Sequence, residues 1–209
     1  MGESRALGDL RVGLSAVDDV LGYAKSGRGK PKKEEQSLFV ASVALSYAMW
    51  ENYVEEVAIE ATEILARNVR EADVPEKVRE WIMKSGATAW DIAVHPGWRS
   101  LWLSGVARRA QGDSAAENDL GMNTANERNV RNLFERVGVD PFAVASKARL
   151  TNLERLVRER GQIVHTGKAP DDFRKSNAKD WRSFVEDLAK TVDEAIANGI
   201  DPLVGGKPW

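Results

Sequence analysis

Apolar residues along this chain recur at intervals of three and four far more often than at two, so the pattern predicts helices and almost no strand. Leu7, Leu10, Leu14, Val17 and Leu21 mark a first helix over about Ser4 to Ala24. The longest stripe is Phe39, Val43, Tyr47, Trp50, Val54, Val57, Ala61 and Ile64, which predicts a helix from about Glu34 to Asn68. Val40, Leu45 and Ile59 fall off that stripe, so the helix should touch neighbours on several sides, as the central rod of a bundle does. Pro75 opens a further helix through Val78, Trp81 and Ile82 that Gly86 ends. From Ala87 to Ala125 the pattern weakens. Trp90, Trp98, Leu101 and Trp102 suggest short packed helices there, and Gln111 to Asn126 reads as a polar loop.

Periodicity returns over Asn126 to Val137 and is followed by a Gly138–Pro141 turn. A helix over Ala148 to Thr166 carries Leu150, Leu153, Leu156 and Val157, with Gly167 as its stop. A last helix over Asn177 to Asn198 carries Trp181, Phe184, Val185, Leu188, Val192 and Ile196, and Gly199 is expected to end it. The expectation is an all-α bundle spanning 1–209 as one domain. Its core covers about 35–198, with an N-terminal helix and basic loop over 1–34 and a tail over 199–209.

The chain has 209 residues, long enough to bury a sizeable core. Its 43% hydrophobic and 30% charged composition is that of a globular rather than a disordered protein. A net charge of −2 supplies no global field toward nucleic acid, so any such contact must come from a local basic patch. There is no cysteine, which removes disulfides, thiol nucleophiles and cysteine zinc sites. Met1–Ala6 has neither an apolar signal-peptide core nor a myristoylation pattern, and no apolar run spans a bilayer. No membrane association is therefore expected, and cytoplasmic is the default location.

The candidate chemistry lies in Arg158-Glu-Arg160-Gly-Gln-Ile-Val-His165-Thr-Gly167. It holds one of only two histidines, placed in the last turn of a helix beside the negative end of its dipole. Histidine moves protons near neutral pH, and a nearby guanidinium can hold a phosphate. The plain alternative is a helix-cap residue. Residues five apart sit about 140° apart around a helix, whereas seven apart nearly align. Arg158 should thus face the same way as His165, while Arg160 continues the Val157 and Val164 stripe. Either Gly161 distorts the helix and lets Arg160 reach the site, or Arg158 is the working arginine.

His95, in Val94-His-Pro-Gly97, reads as a structural turn residue. No histidine or acidic pair has zinc-ligand spacing, so neither metal nor other cofactor is expected. Lys25 to Lys33, including Lys30, Lys32 and Lys33, is either a solvated connector or an arm that contacts phosphates. Arg149, Arg155 and Arg158 form a second candidate RNA-facing surface. Glu51 is either plain surface or a partner that orients Arg160 or His165. Helical spacing assigns most of the seven tryptophans to core packing rather than base stacking.

Arg160-Gly-Gln-Ile-Val-His165 resembles the arginine, four to six residues, histidine motif of HEPN domains. Tyr47-Ala-Met-Trp50-Glu51-Asn-Tyr53, Asn129-Val-Arg-Asn-Leu-Phe134-Glu-Arg-Val-Gly138-Val and Leu153-Glu-Arg-Leu-Val-Arg-Glu-Arg160 resemble the RiboL-PSP-type branch. The resemblance covers about Glu35 to Lys168. It implies a helical bundle and a metal-independent endoribonuclease acting as a homodimer. In that reading His165 transfers the proton and Arg160 holds the scissile phosphate, cutting RNA by attack of its own 2′-hydroxyl. It also implies a toxin or defence effector restrained by an antitoxin or other regulatory protein. The chain departs from the family at Gly161, where a polar residue is usual, with Gln162 as a substitute. A non-catalytic module binding RNA or a protein partner, and a purely structural dimerisation bundle, are the alternatives.

Overall fold

A computed structural model describes residues 2–24, 31–113, 121–168, 170 and 172–209. The described residues form eight α-helices, one 3-10 turn at Glu71–Asp73 and no strand. The helices are α1 (Arg5–Tyr23), α2 (Lys33–Asn68), α3 (Glu76–Lys84), α4 (Ala89–Val94), α5 (Gly97–Gln111), α6 (Glu127–Val137), α7 (Lys147–Thr166) and α8 (Lys175–Val204). Their boundaries follow local chemistry. Ser4, Asn126 and Ser146 cap α1, α6 and α7 by accepting the N–H three residues on. Gly138 and Gly167 end α6 and α7 with φ of 94° and 65°, a left-handed conformation that favours glycine.

The long α2 runs through the middle, packed against α1, α5, α6, α7 and α8. Its predicted stripe is buried from Phe39 to Ala61, and Val40, Leu45 and Ile59 pack half-buried against the core on other sides. Trp50 is fully buried and its indole N–H donates to the Ala125 carbonyl at 2.8 Å. That bond spares the ring's one polar atom an unmet hydrogen bond inside an apolar core. The α1 stripe from Leu7 to Leu21 is buried in the same core.

Four contacts fix the helix directions. Lys175 at the start of α8 donates to the Ala24 carbonyl just past α1, whereas Asp193 lies against Ser4 at the other end. Arg149 near the start of α7 bonds Thr191, and Glu159 near its end accepts from Trp181 at 2.7 Å. Both α1 and α7 are therefore antiparallel to α8. The end of α1, the start of α2, the end of α7 and the start of α8 meet at one end of the bundle.

Three sequence expectations need correction. Gly199 does not end the last helix, because α8 continues to Val204, with Pro202 inside it, and stops at Gly205. Ile200 continues the buried stripe after Ile196, so packing holds the helix together past the glycine. A Cβ at Gly199 would meet Val139 at 3.1 Å, so the glycine admits a close neighbour rather than a turn. The predicted tail consequently begins only after Val204. The region after Ala87 holds one short helix, α4, but α5 is a regular helix of 15 residues. Finally, Trp98 and Trp102 are buried as predicted, whereas Trp90 on α4 is 71% exposed.

Candidate functional site

Helix α7 is unbroken from Lys147 to Thr166, so Gly161 does not distort it. Leu153, Leu156 and Ile163 form its buried stripe, and Arg160 falls between Leu156 and Ile163 at the same spacing. An arginine thus stands where the periodicity calls for an apolar residue. Arg158, Gln162 and His165 are exposed, and their side chains make no hydrogen bond or ion pair among the described residues. Within one chain, regular helix geometry separates Arg160 from His165 by about 140° around the axis and about 7.5 Å along it. Arg158 shares the face of His165.

The Arg160 side chain, 36% exposed, lies over the Tyr47 ring at 5.1 Å from its centre, a cation–π contact. One of its terminal nitrogens is 4.0 Å from Glu51 Oε2. Tyr47 is buried, and its hydroxyl accepts the Ala125 N–H at 3.0 Å. That N–H also points at Glu51 Oε1, 3.4 Å away. Burial raises the Glu51 carboxyl above its ordinary value, opposed by the Arg160 charge and the Tyr47 and Ala125 hydrogen bonds. Burial, then the nearby Glu51 charge, raises the Tyr47 phenol as well. One turn along, Glu55 rises to about 7, first through burial and then through repulsion by Glu51 and Glu56.

The other candidates scatter around this cluster. Arg155 pairs with Glu159 at 3.2 Å and lies 4.5 Å from the centre of the Trp181 ring, in a cleft between α7 and α8. Lys32 caps α2, with its backbone N–H bonded to Glu35 at 2.8 Å, and Lys33 is the first residue of the helix. Both are exposed at the end of the bundle where α7 finishes. Lys30 and the rest of that loop back to Lys25 lie outside the described residues. A Cβ at Gly161 would meet nothing within 4 Å, so the helix has open space at this position. His95 accepts the Gly97 N–H at 3.1 Å, the structural turn role its position suggested. No group of three or more metal-binding side chains occurs among the described residues, and no described helix is long and apolar enough to cross a membrane.

Apart from its place in the resembling Tyr47–Tyr53 segment, Tyr47 gave no sign of contact with Arg160, because its spacing made it one more member of the α2 core stripe. Only the arginine on the buried face of α7 hinted that something polar must receive it.

The architecture is therefore an all-α bundle with Arg158, Gln162 and His165 exposed and unpartnered among the described residues near the end of α7. Residues 115–198 match the family model described as RiboL-PSP-HEPN, which supports a HEPN-superfamily domain over that part of the chain. The match takes in α6, α7 and most of α8, and with them Arg160, His165 and two of the three supporting segments. Tyr47 to Tyr53 lies before it. Comparison with curated proteins and with solved structures returned no match.

Proposed function

We propose that the protein is a HEPN-type endoribonuclease that cuts RNA through its 2′-hydroxyl. The observation that carries this reading is the pairing of a seated arginine with an uncommitted histidine at the end of one helix. Arg160 sits above Tyr47 in reach of solvent, and His165 stands exposed in the last turn with no partner among the described residues. In this chemistry a base takes the 2′-hydroxyl proton, the 2′-oxygen attacks phosphorus, and an acid protonates the departing 5′-oxygen. His165 supplies proton transfer and Arg160 stabilises the phosphate as charge builds on it. The products are a 2′,3′-cyclic phosphate and a 5′-hydroxyl, with no metal required by the mechanism.

One chain turns Arg160 and His165 to different faces of α7, and a two-fold homodimer brings two motif copies into one cleft. Val164, 53% exposed beside His165, gives such an interface an apolar contact. Light scattering at micromolar concentration should show a dimer, and a strictly monomeric protein counts against the assembly. Arg158, on the His165 face, is the rival phosphate ligand, and Arg158→Ala tests it against Arg160→Ala. Toxin or defence activity under a regulatory protein is the biological setting this chemistry suits.

The deciding experiment incubates purified protein with mixed RNA in EDTA. Cleavage to cyclic-phosphate ends, lost when the substrate lacks 2′-hydroxyls, supports the reading. Binding without cutting favours a second one, a non-catalytic module for RNA or a protein partner. The vacant space at Gly161 and the Glu51 charge beside Arg160 are the observations on its side.

A further inference from the structure

We infer that Tyr47 is a positioning residue for Arg160, its buried ring carrying the guanidinium. The inference rests on the proposed role of Arg160 and says how this fold equips that residue. An arginine on a buried helical stripe would ordinarily swing its head out to water, and holding it in one place costs rotamer entropy. Here the guanidinium lies 5.1 Å from the centre of a ring that is 1% exposed and cannot itself reach a ligand.

The ring cannot turn freely. Its hydroxyl accepts the Ala125 N–H at 3.0 Å, and Ala125 is fixed in turn by Trp50 through the 2.8 Å bond to its carbonyl. Glu51 approaches Arg160 only to 4.0 Å, close enough to attract it and too far to take a hydrogen bond. The seat therefore orients the guanidinium while its five N–H donors stay uncommitted among the described residues. That combination suits a phosphodiester, which needs two parallel donors in a fixed fork.

Tyr47→Phe keeps the ring and Tyr47→Leu removes it, so the pair separates the platform from the packing. Each is made in the native chain and in Arg160→Ala, with thermal unfolding as the check on folding. In the native background Tyr47→Leu should lower kcat for RNA about tenfold with little change in KM, the size of one cation–π contact. Tyr47→Phe should stay within about twofold. In the Arg160→Ala background Tyr47→Leu should add nothing, because no guanidinium is left to hold. Equal losses in both backgrounds, or full activity of Tyr47→Leu, overturn the inference.

A second readout stands apart from nuclease activity. The Arg160 Nε–Hε proton should be shifted upfield by the tyrosine ring in native protein and in Tyr47→Phe, and return to its ordinary position in Tyr47→Leu. If the native protein neither cuts nor binds RNA, the proposed function fails while this resonance still decides the seat. If Tyr47→Leu does not fold, the native and Tyr47→Phe resonances decide it. An unshifted Arg160 in the native protein sinks the inference.

Discussion

The two ends of this bundle treat polar groups in opposite ways. Where α1 begins, the buried polar groups are answered. Asp193 of α8 accepts the backbone N–H and hydroxyl of Ser4, and Tyr53 of α2 bonds the Ala189 carbonyl at 3.0 Å and reaches Asp193 at 3.4 Å. Glu60 of α2 takes the Arg5 and Ala6 N–H groups at 3.0 Å each, so helix α1 starts against two carboxylates from different helices. Where α7 ends, Arg158, Gln162 and His165 are left without partners among the described residues. Buried polar groups must be satisfied internally, because each unmet one costs about 1–3 kcal/mol. Exposed groups left open are affordable only in water, and they are the ones available to a ligand. The first end is thus read as a fastening and the second as a place for chemistry.

The largest expected effect breaks the second end alone. His165→Ala should lower RNA cleavage by about 10²–10⁴-fold, the usual contribution of an acid–base group, with thermal stability and most RNA binding unchanged. A comparable fall in melting temperature would show that the α7 end is a fastening too. The complementary change breaks the first end. Asp193→Ala strips the acceptor from Ser4 and Tyr53 and should cost about 2 kcal/mol in urea unfolding while leaving cleavage by the folded fraction intact. Asp193→Asn should cost less, since burial already raises the Asp193 carboxyl and penalises its charged form.

Glu55 gives a smaller, pH-dependent test within the site region. Its folded-state value, raised to about 7, means the folded protein holds a proton that the unfolded chain releases near the ordinary glutamate value of 4.5. The resulting stabilisation is fully present below that ordinary value and is lost as pH rises through 7. Because the group is only half-buried, screening reduces the effect to on the order of 1 kcal/mol. Glu55→Gln should flatten unfolding stability between these two pH values and raise it at pH 8. An unchanged pH profile would remove Glu55 from the strained cluster around Glu51.

The smallest effect concerns the edge of the site. Reversing Lys30, Lys32 and Lys33 to Glu should change stability by less than about 0.5 kcal/mol and weaken RNA affinity several-fold, more at low salt than at high. Affinity that ignores both the reversal and the salt assigns these lysines to plain solvation.

Much of this molecule was legible from one-dimensional spacing. The periods of three and four gave the α2 stripe from Phe39 to Ala61, helix starts near Ser4 and Asn126, the turn at Gly138 and the stop at Gly167, because such features depend on neighbours within one or two turns. His165 was placed in the last turn of α7 for the same reason, and the resemblance that named the superfamily drew on Arg160, His165 and the segments leading to them. Contacts between residues distant in sequence left no local trace. Gly199 looked like a stop until Ile200 was seen to stay in the core and Val139 to press against the glycine. Trp90 looked like core because hydrophobicity does not record which face of a short helix meets a neighbour. Glu51 could be read either as plain surface or as a partner of Arg160 or His165, and Tyr47, apart from its place in the resembling segment, looked like packing. Local hydrogen bonding and periodic burial are written into consecutive residues and determine where helices run. Which arginine meets which ring depends on how α2 and α7 cross, and only the packing of the whole bundle decided that.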